Sequence, residues 1–337
     1  MNGFPVRRAV RLALAAGVAF VAPSPQAAAK PKLPSRTVVC GEVLTESLRV
    51  ANNLSDCPGD GVVVGAPGIT LDLGDHRIDG VAAAGSAGID NSAGHDDVVI
   101  RGGIVIEFET GVRLENASGN TLTLLHVSRN YDGIELVASS NNTLKANVAT
   151  GNDNFGVGLS AASNTNSFSA NEVSSNGSSG ISTDASSENL FVGNRVSGNG
   201  GLGIEIAGGS GHTLKGNTAQ GNRLNGIGVE ANDSLVKANR VSANDLHGIE
   251  ISGGSNNVVV TGNTAHENGV HGILAVTNAV TLTKNKANAN GFIGGGAGDD
   301  VGLGLLVPAG ATSSGNKAVG NDDPNECEAS DLSCARP

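Results

Sequence analysis

Tryptophan is absent from this 337-residue chain, tyrosine and methionine occur once each, and aromatic residues make up 2% of it. So few large side chains cannot fill the wide space between two packed sheets, which argues against a sandwich and for a narrow interior of Ile, Val, Leu and Ala. Positive charge is also scarce, with 21 Lys and Arg against 32 Asp and Glu and a net charge of −11. Such a balance disfavours nucleic acid as a partner. The apolar run from Leu12 to Ala22 is too short to span a bilayer, so no membrane insertion is expected. Cysteine is limited to four residues, all near the ends: Cys40, Cys57, Cys327 and Cys334.

What the chain does have is a repeat. Gly followed by an aliphatic residue recurs at Gly88, Gly111, Gly133, Gly156, Gly180, Gly203, Gly226, Gly248 and Gly272, at steps of 22 to 24 residues. A constant period of that size with β-forming residues marks stacked coils, each burying its apolar face against its neighbours. Two asparagine ladders keep the same phase. One runs through Asn147, Asn171, Asn194, Asn217, Asn239, Asn263 and Asn285, the other through Asn130, Asn152, Asn176, Asn199, Asn222, Asn244, Asn268 and Asn290. Stacked asparagines are expected to donate to one neighbouring coil, accept from the other, and supply the left-handed backbone of a corner.

Alternation in Gly133-Ile134-Glu135-Leu136 and its equivalents places the first and third residues after Gly inward. Two more inward columns are Ala149, Val173, Val196, Ala219, Val241, Ala265, Ala287 and Leu144, Phe168, Phe191, Leu214, Val236, Val260, Leu282. Three columns imply three short strands per coil. Parallel crossovers are right-handed, so the predicted fold is all-β, a right-handed parallel β-helix (solenoid) of about ten coils over residues 67–320.

Arg7, Arg8 and Arg11, the apolar run and Ala27-Ala28-Ala29 read as a signal peptide over 1–29, followed by a disordered lead-in at 30–39. Export makes disulfides the expected state of the cysteines. Local pairing, Cys40 with Cys57 and Cys327 with Cys334, is the simplest of three connectivities. It would staple an N-terminal cap at 40–66 and a C-terminal cap at 321–337, covering unpaired sheet edges. The mature protein is expected to be a secreted, periplasmic or cell-surface monomer.

The opening Cys40-Gly41 to Cys57-Pro58-Gly59-Asp60-Gly61, then Ile69-Thr70-Leu71-Asp72-Leu73, resembles that of secreted bacterial β-helix repeat proteins. The Asn-x-x-x-Gly-Ile repeats resemble the pectin-lyase-like superfamily, including its domain of carbohydrate-binding proteins and sugar hydrolases. That resemblance implies a polysaccharide partner and, for an enzyme, a lyase, hydrolase, esterase or uronate epimerase. Its catalytic signatures do not transfer. No Asn-Thr-Asp with a later Arg-Ile-Lys is present, and Asp323-Pro324 is followed by Asn325 where alginate epimerases have His.

Two surfaces are candidates. On the Gly-Ile strands, Arg113 lies one coil from Asp90 and Glu135, with Tyr131 and Asp132 in the turn feeding the same strand. Arg113 or Arg129 would neutralise a uronate while Tyr131 or His126 moves a proton, the division of labour of a polysaccharide lyase or epimerase, with Asp132 and Glu135 alongside. His126 belongs to a different face. Along the strand after the Asn corner, Arg195, Arg240 and Lys286, with Lys215 and Lys237 nearby, form a basic stripe suited to binding an anionic glycan. The alternative to both is a structural surface rod whose charges are only solvated.

No metal site is assigned. His247 and His271 occupy equivalent places in adjacent coils, and Gly295 to Asp300 fits one copy of a calcium-binding nonapeptide, which leaves calcium as the one cofactor the sequence admits. The same glycine-rich stretch belongs to an insertion at 291–303.

Overall fold

The computed structural model describes residues 32–291 and 304–321 and the strand Cys327–Glu328. All of the architecture below belongs to the compact unit Leu33–Pro337. Each coil contributes one strand to each of three parallel sheets of 13, 12 and 13 strands, and the described residues contain no helix. One coil runs Asp132–Val137 in the third sheet, Thr143–Lys145 in the first and Val148–Thr150 in the second, then returns to the third at Val157–Ser160. The chain is the right-handed parallel β-helix that its periodicity predicts.

All three predicted inward columns are buried, from Ile134 and Leu136 to Leu144 and Ala149 and their equivalents. Two aromatic rings, Phe168 and Phe191, stack one coil apart with centroids 4.9 Å apart. The glycine ladder has a steric cause: a Cβ on Gly133 would run into the Gly156 carbonyl of the next coil. Only glycine admits so close a backbone approach.

The asparagine ladders are buried and fully bonded, but not quite as expected. Asn171 donates its amide to Leu144 O (2.9 Å) in the preceding coil and to Asn194 Oδ1 (2.9 Å) in the following one. Its Oδ1 accepts from the backbone N–H (2.9 Å) and the amide (3.1 Å) of Asn147, also in the preceding coil. The left-handed residue is the one before each asparagine, Ala146 (φ 54°), Ala170 (φ 53°), Gly193 (φ 63°) or Lys284 (φ 57°). Turning that residue outward lets the asparagine side chain point in and reach the backbone.

A third ladder, Asn120, Asn142, Asn166 and Asn189, escaped the sequence reading. Each of its first three N–H groups donates to the next member's Oδ1 at 2.8 Å. His212 follows Asn189 in this register and is wholly buried, and that burial lowers its pKa and keeps the ring neutral.

The stack starts earlier than expected. Ser35–Arg36, placed in a disordered lead-in by the sequence, pairs with Leu48–Val50. Val38 is buried there, bonded through its N–H and C=O to the Asn52 side chain. Residues 40–66, read as a cap, hold strands of all three sheets and so form a coil in their own right. A disulfide joins Cys40 and Cys57 in that coil, with Cα atoms 5.4 Å apart. At the other end Cys327–Glu328 pairs with Leu305–Leu306, which itself pairs with Ile273–Ala275 across the insertion. The signal peptide, the calcium-type loop within 292–303 and the Cys327–Cys334 pairing lie outside the described residues.

Candidate functional site

On the outer face of the third sheet, registered residues form a column running Asp90, Arg113, Glu135, Gly158, Ser182, Glu205, Gly228, Glu250. Gly158 interrupts that column with no side chain. Built on its backbone, a Cβ would meet only Phe155 Cδ2, at 3.9 Å. The gap is the floor of a cavity of about 290 Å³ lined by Asp132, Glu135, Phe155, Ser160, Ser182 and Asp184, with Ile134 and Leu159 beneath. Phe155 forms an apolar wall; three carboxylates and two hydroxyls form the rim.

Burial pushes the Asp132 carboxyl up. Bonds from Asn154 Nδ2 (2.9 Å) and the Phe155 N–H (3.4 Å) pull it back, and Glu109 pushes it up again. Glu135 is pushed up by burial first and then by Asp132, with Arg113 opposing and Glu115 and Glu109 adding. Two carboxyls in one cavity with raised affinity for protons is an arrangement suited to acid–base work and to hydrogen bonding with hydroxyls.

Of the residues the sequence grouped for catalysis, the structure brings Asp132 and Glu135 into the cavity and leaves Arg113 and Tyr131 out of its lining. Arg113 opposes Glu135 in register but reaches the other way, 3.8 Å from Asp90 and bonded to Gly85 O (3.2 Å) and Thr110 Oγ1 (3.3 Å). Tyr131, at the end of the same turn, is 53% exposed. Phe155, Ser160, Ser182 and Asp184 were not singled out. The signal that would have found them is the break in the outward column at Gly158, followed again at Gly228 by a smaller cavity of about 90 Å³ among Leu202, Glu205, Asn225, Glu230 and Glu250.

The basic residues sit elsewhere. Arg195, Arg240 and Lys286 are outward on the second sheet, and Lys215 and Lys237 are neighbours on the first. They do not converge with Arg113, and His126 lies in the second-sheet column that Arg195 continues. His247 and His271 stack at 5.0 Å, with His271 N–H donating to His247 Nδ1 at 3.2 Å.

Comparison with known proteins yields no match among curated sequences. Solved structures share the fold. The A-module of the mannuronan C-5 epimerase AlgE6 of Azotobacter vinelandii aligns at 18% identity and TM-score 0.57, over 82% of this chain and 78% of that one. A periplasmic alginate epimerase, AlgG, in variant form aligns at 15% identity and TM-score 0.58, over 82% and 76%. The Dettilon tailspike protein aligns at 16% identity and TM-score 0.53, over 84% of this chain but only 58% of its own. The family model for a right-handed beta helix region matches residues 163–322, and the one described as periplasmic copper-binding protein (NosD) matches residues 57–225.

Copper sites draw on thiolate, thioether and imidazole donors. Cys40 and Cys57 are consumed by a disulfide, and no group of three or more His, Cys, Asp or Glu among the described residues could hold a metal ion. The family match extends over just over half of the sequence, and on that ground the chain belongs to the family described as periplasmic copper-binding protein (NosD), built here as a right-handed parallel β-helix.

Proposed function

We propose that this is an exported β-helix protein that binds polysaccharide and seats a sugar unit in the cavity over Gly158. The observation that carries the reading is the cavity's make-up: an apolar wall at Phe155, a bare glycine floor, and Asp132, Glu135, Asp184, Ser160 and Ser182 around the rim. A pyranose ring offers an apolar face and a girdle of hydroxyls, which that combination matches. Similarity of fold to proteins named as mannuronan and alginate epimerases, the family's periplasmic description and the Cys40–Cys57 disulfide support an extracytoplasmic role in contact with glycan. With no cation lining the cavity, a neutral sugar suits it better than a uronate.

The test is a filling substitution. Gly158→Leu points into open space, so it should leave thermal stability near wild type while lowering affinity for neutral polysaccharides, measured by isothermal titration, at least tenfold. Binding that survives in a cavity so filled would refute the site. A second reading, acid-catalysed cleavage, rests on the raised Asp132 and Glu135 carboxyls. It predicts new reducing ends from a bound glycan and their loss in Glu135→Gln.

A further inference from the structure

From residue 190 onward, the outward columns of the first and second sheets carry cations and no described carboxylate. The first-sheet column reads Val192, Lys215, Lys237, Thr261, Thr283, Ser314, and the second-sheet column reads Arg195, Thr218, Arg240, Thr264, Lys286, Lys317. The two columns flank a corner whose left-handed residues are Gly193, Gly216, Ala238, Gly262, Lys284 and Gly315, small at every coil but one. Seven cations, Arg195, Lys215, Lys237, Arg240, Lys284, Lys286 and Lys317, thus border a low ridge, all of them exposed. Among the described residues none of the seven forms an ion pair or a side-chain hydrogen bond.

The N-terminal coils provide the contrast. On these same two sheets or at their edges, Arg77 pairs with Asp79, Arg101 with Asp72 and Arg129 with Glu107. Those three arginines are paired within the chain; in the C-terminal half the carboxylates Glu205, Glu230 and Glu250 stand on the third sheet instead. Successive coils are about 4.8 Å apart. The cations therefore lie within or near one screening length of about 8 Å of each other at physiological salt, and their fields add along the ridge. In a chain of net charge −11 such segregation needs a use.

We propose that this ridge is a second, separate binding site, for a linear anionic polysaccharide lying along the corner with cations on either side. Length and one-dimensionality fit a chain molecule. Among the described residues these two faces carry no exposed aromatic side chain on which bases would stack, since Phe168 and Phe191 are buried in the core, and this weighs against single-stranded nucleic acid. Two rows of charge falling away on either side of a ridge, without an apolar anchor between them, suit a narrow chain better than a flat bilayer.

The experiment titrates the full-length mature protein with sodium polygalacturonate, neutral dextran, a single-stranded oligonucleotide and phosphatidylglycerol vesicles, at low and at physiological salt. Polygalacturonate should bind, weakening about tenfold or more over a fourfold rise in salt. A triple variant, Lys215→Glu, Lys237→Glu and Arg240→Glu, should lose that binding at least tenfold. Arg223→Glu, an exposed cation outside the ridge, and Gly158→Leu should retain it. All substituted cations are exposed, so unchanged melting temperatures should accompany the losses. Salt-insensitive binding, an unchanged triple variant, or binding confined to the oligonucleotide, the vesicles or dextran would each overturn the proposal.

Discussion

Replacing Asn194 by alanine removes four interactions at one buried point. Its Oδ1 accepts from the Asn171 backbone N–H at 3.0 Å and from the Asn171 amide at 2.9 Å. Its Nδ2 donates to Phe168 O and to Asn217 Oδ1, both at 3.0 Å. Not all four losses weigh equally. Asn217 Oδ1 keeps the Asn194 backbone N–H (2.9 Å), and the Asn171 amide keeps Leu144 O (2.9 Å). The Phe168 carbonyl lies in a strand paired with Leu190–Val192 and keeps its place in that sheet, so the group left without a partner is the Asn171 N–H, in an interior that water does not reach. An orphaned buried group costs about 1–3 kcal/mol, so the variant should lose about that much. Urea unfolding followed by circular dichroism measures it, provided the stack unfolds cooperatively enough for a single transition. Asn194→Asp restores the acceptor for the Asn171 N–H but not the donor, and it places a carboxylate in the interior. It should therefore be no better than alanine at neutral pH and should recover partly on acidification. A loss below about 1 kcal/mol for Asn194→Ala would mean that the ladder is a consequence of the stacking and not one of its causes.

The inward assignment can be checked at one strand. Ile249→Asp buries an unpaired carboxylate in the core and should cost several kcal/mol, whereas Glu250→Gln, one residue on, keeps an acceptor for Asn225 and should stay within about 0.5 kcal/mol, both read by thermal unfolding. The cavity carboxyls give a pH signature. Because the folded protein raises the pKa of Asp132 and Glu135, their protonated forms favour folding; their contribution is fully present below the unfolded-state pKa and is lost as pH rises through the folded values. Glu135→Gln should therefore stabilise the protein at pH 7 relative to wild type, and the gap should close as pH falls towards 4. A constant gap across that range would show that Glu135 is not perturbed.

Why the fold was legible and the cavity was not has a physical explanation. An inward position in a solenoid repeats its environment at every coil, so Ile134, Leu144, Ala149 and Asn147 recur as types in their columns, and periodicity alone reveals them. Outward positions have no such constraint. Asp132 and Glu135 are charged and three residues apart, enough for the sequence to group them, but Phe155 reads as an ordinary aromatic until its ring is seen beside Gly158. The assignment of Arg113 to substrate failed to meet the geometry because its partner Asp90 lies in the preceding coil, 23 residues back. Register predicts that the two are neighbours; it does not tell which of two flanking carboxylates, Asp90 or Glu135, the guanidinium turns to. The early start of the stack was hidden for the opposite reason. Ser35–Arg36 shows no repeat of its own and pairs with Leu48–Val50, while Val38 is held by Asn52, contacts that carry no periodic signature.

The same distinction bears on where function can reside. Within the stack, the inward columns are committed to packing and the ladders to backbone bonds, so recognition must be written in the outward columns, where a departure from the local pattern costs the fold little. Two kinds of departure occur. Gly158 and Gly228 remove a side chain from a column of polar ones and open cavities of about 290 and 90 Å³ three coils apart on the third sheet. On the other two sheets, the disappearance of carboxylates after residue 190 leaves seven cations without described partners. A glycan engaged at the cavity meets hydroxyls, a ring and protonatable acids, while one engaged at the ridge meets fixed positive charge. High salt should weaken the second far more than the first, and acidification should alter the first while the lysines and arginines of the second stay charged. That opposite response separates the two surfaces in a single protein without any substitution.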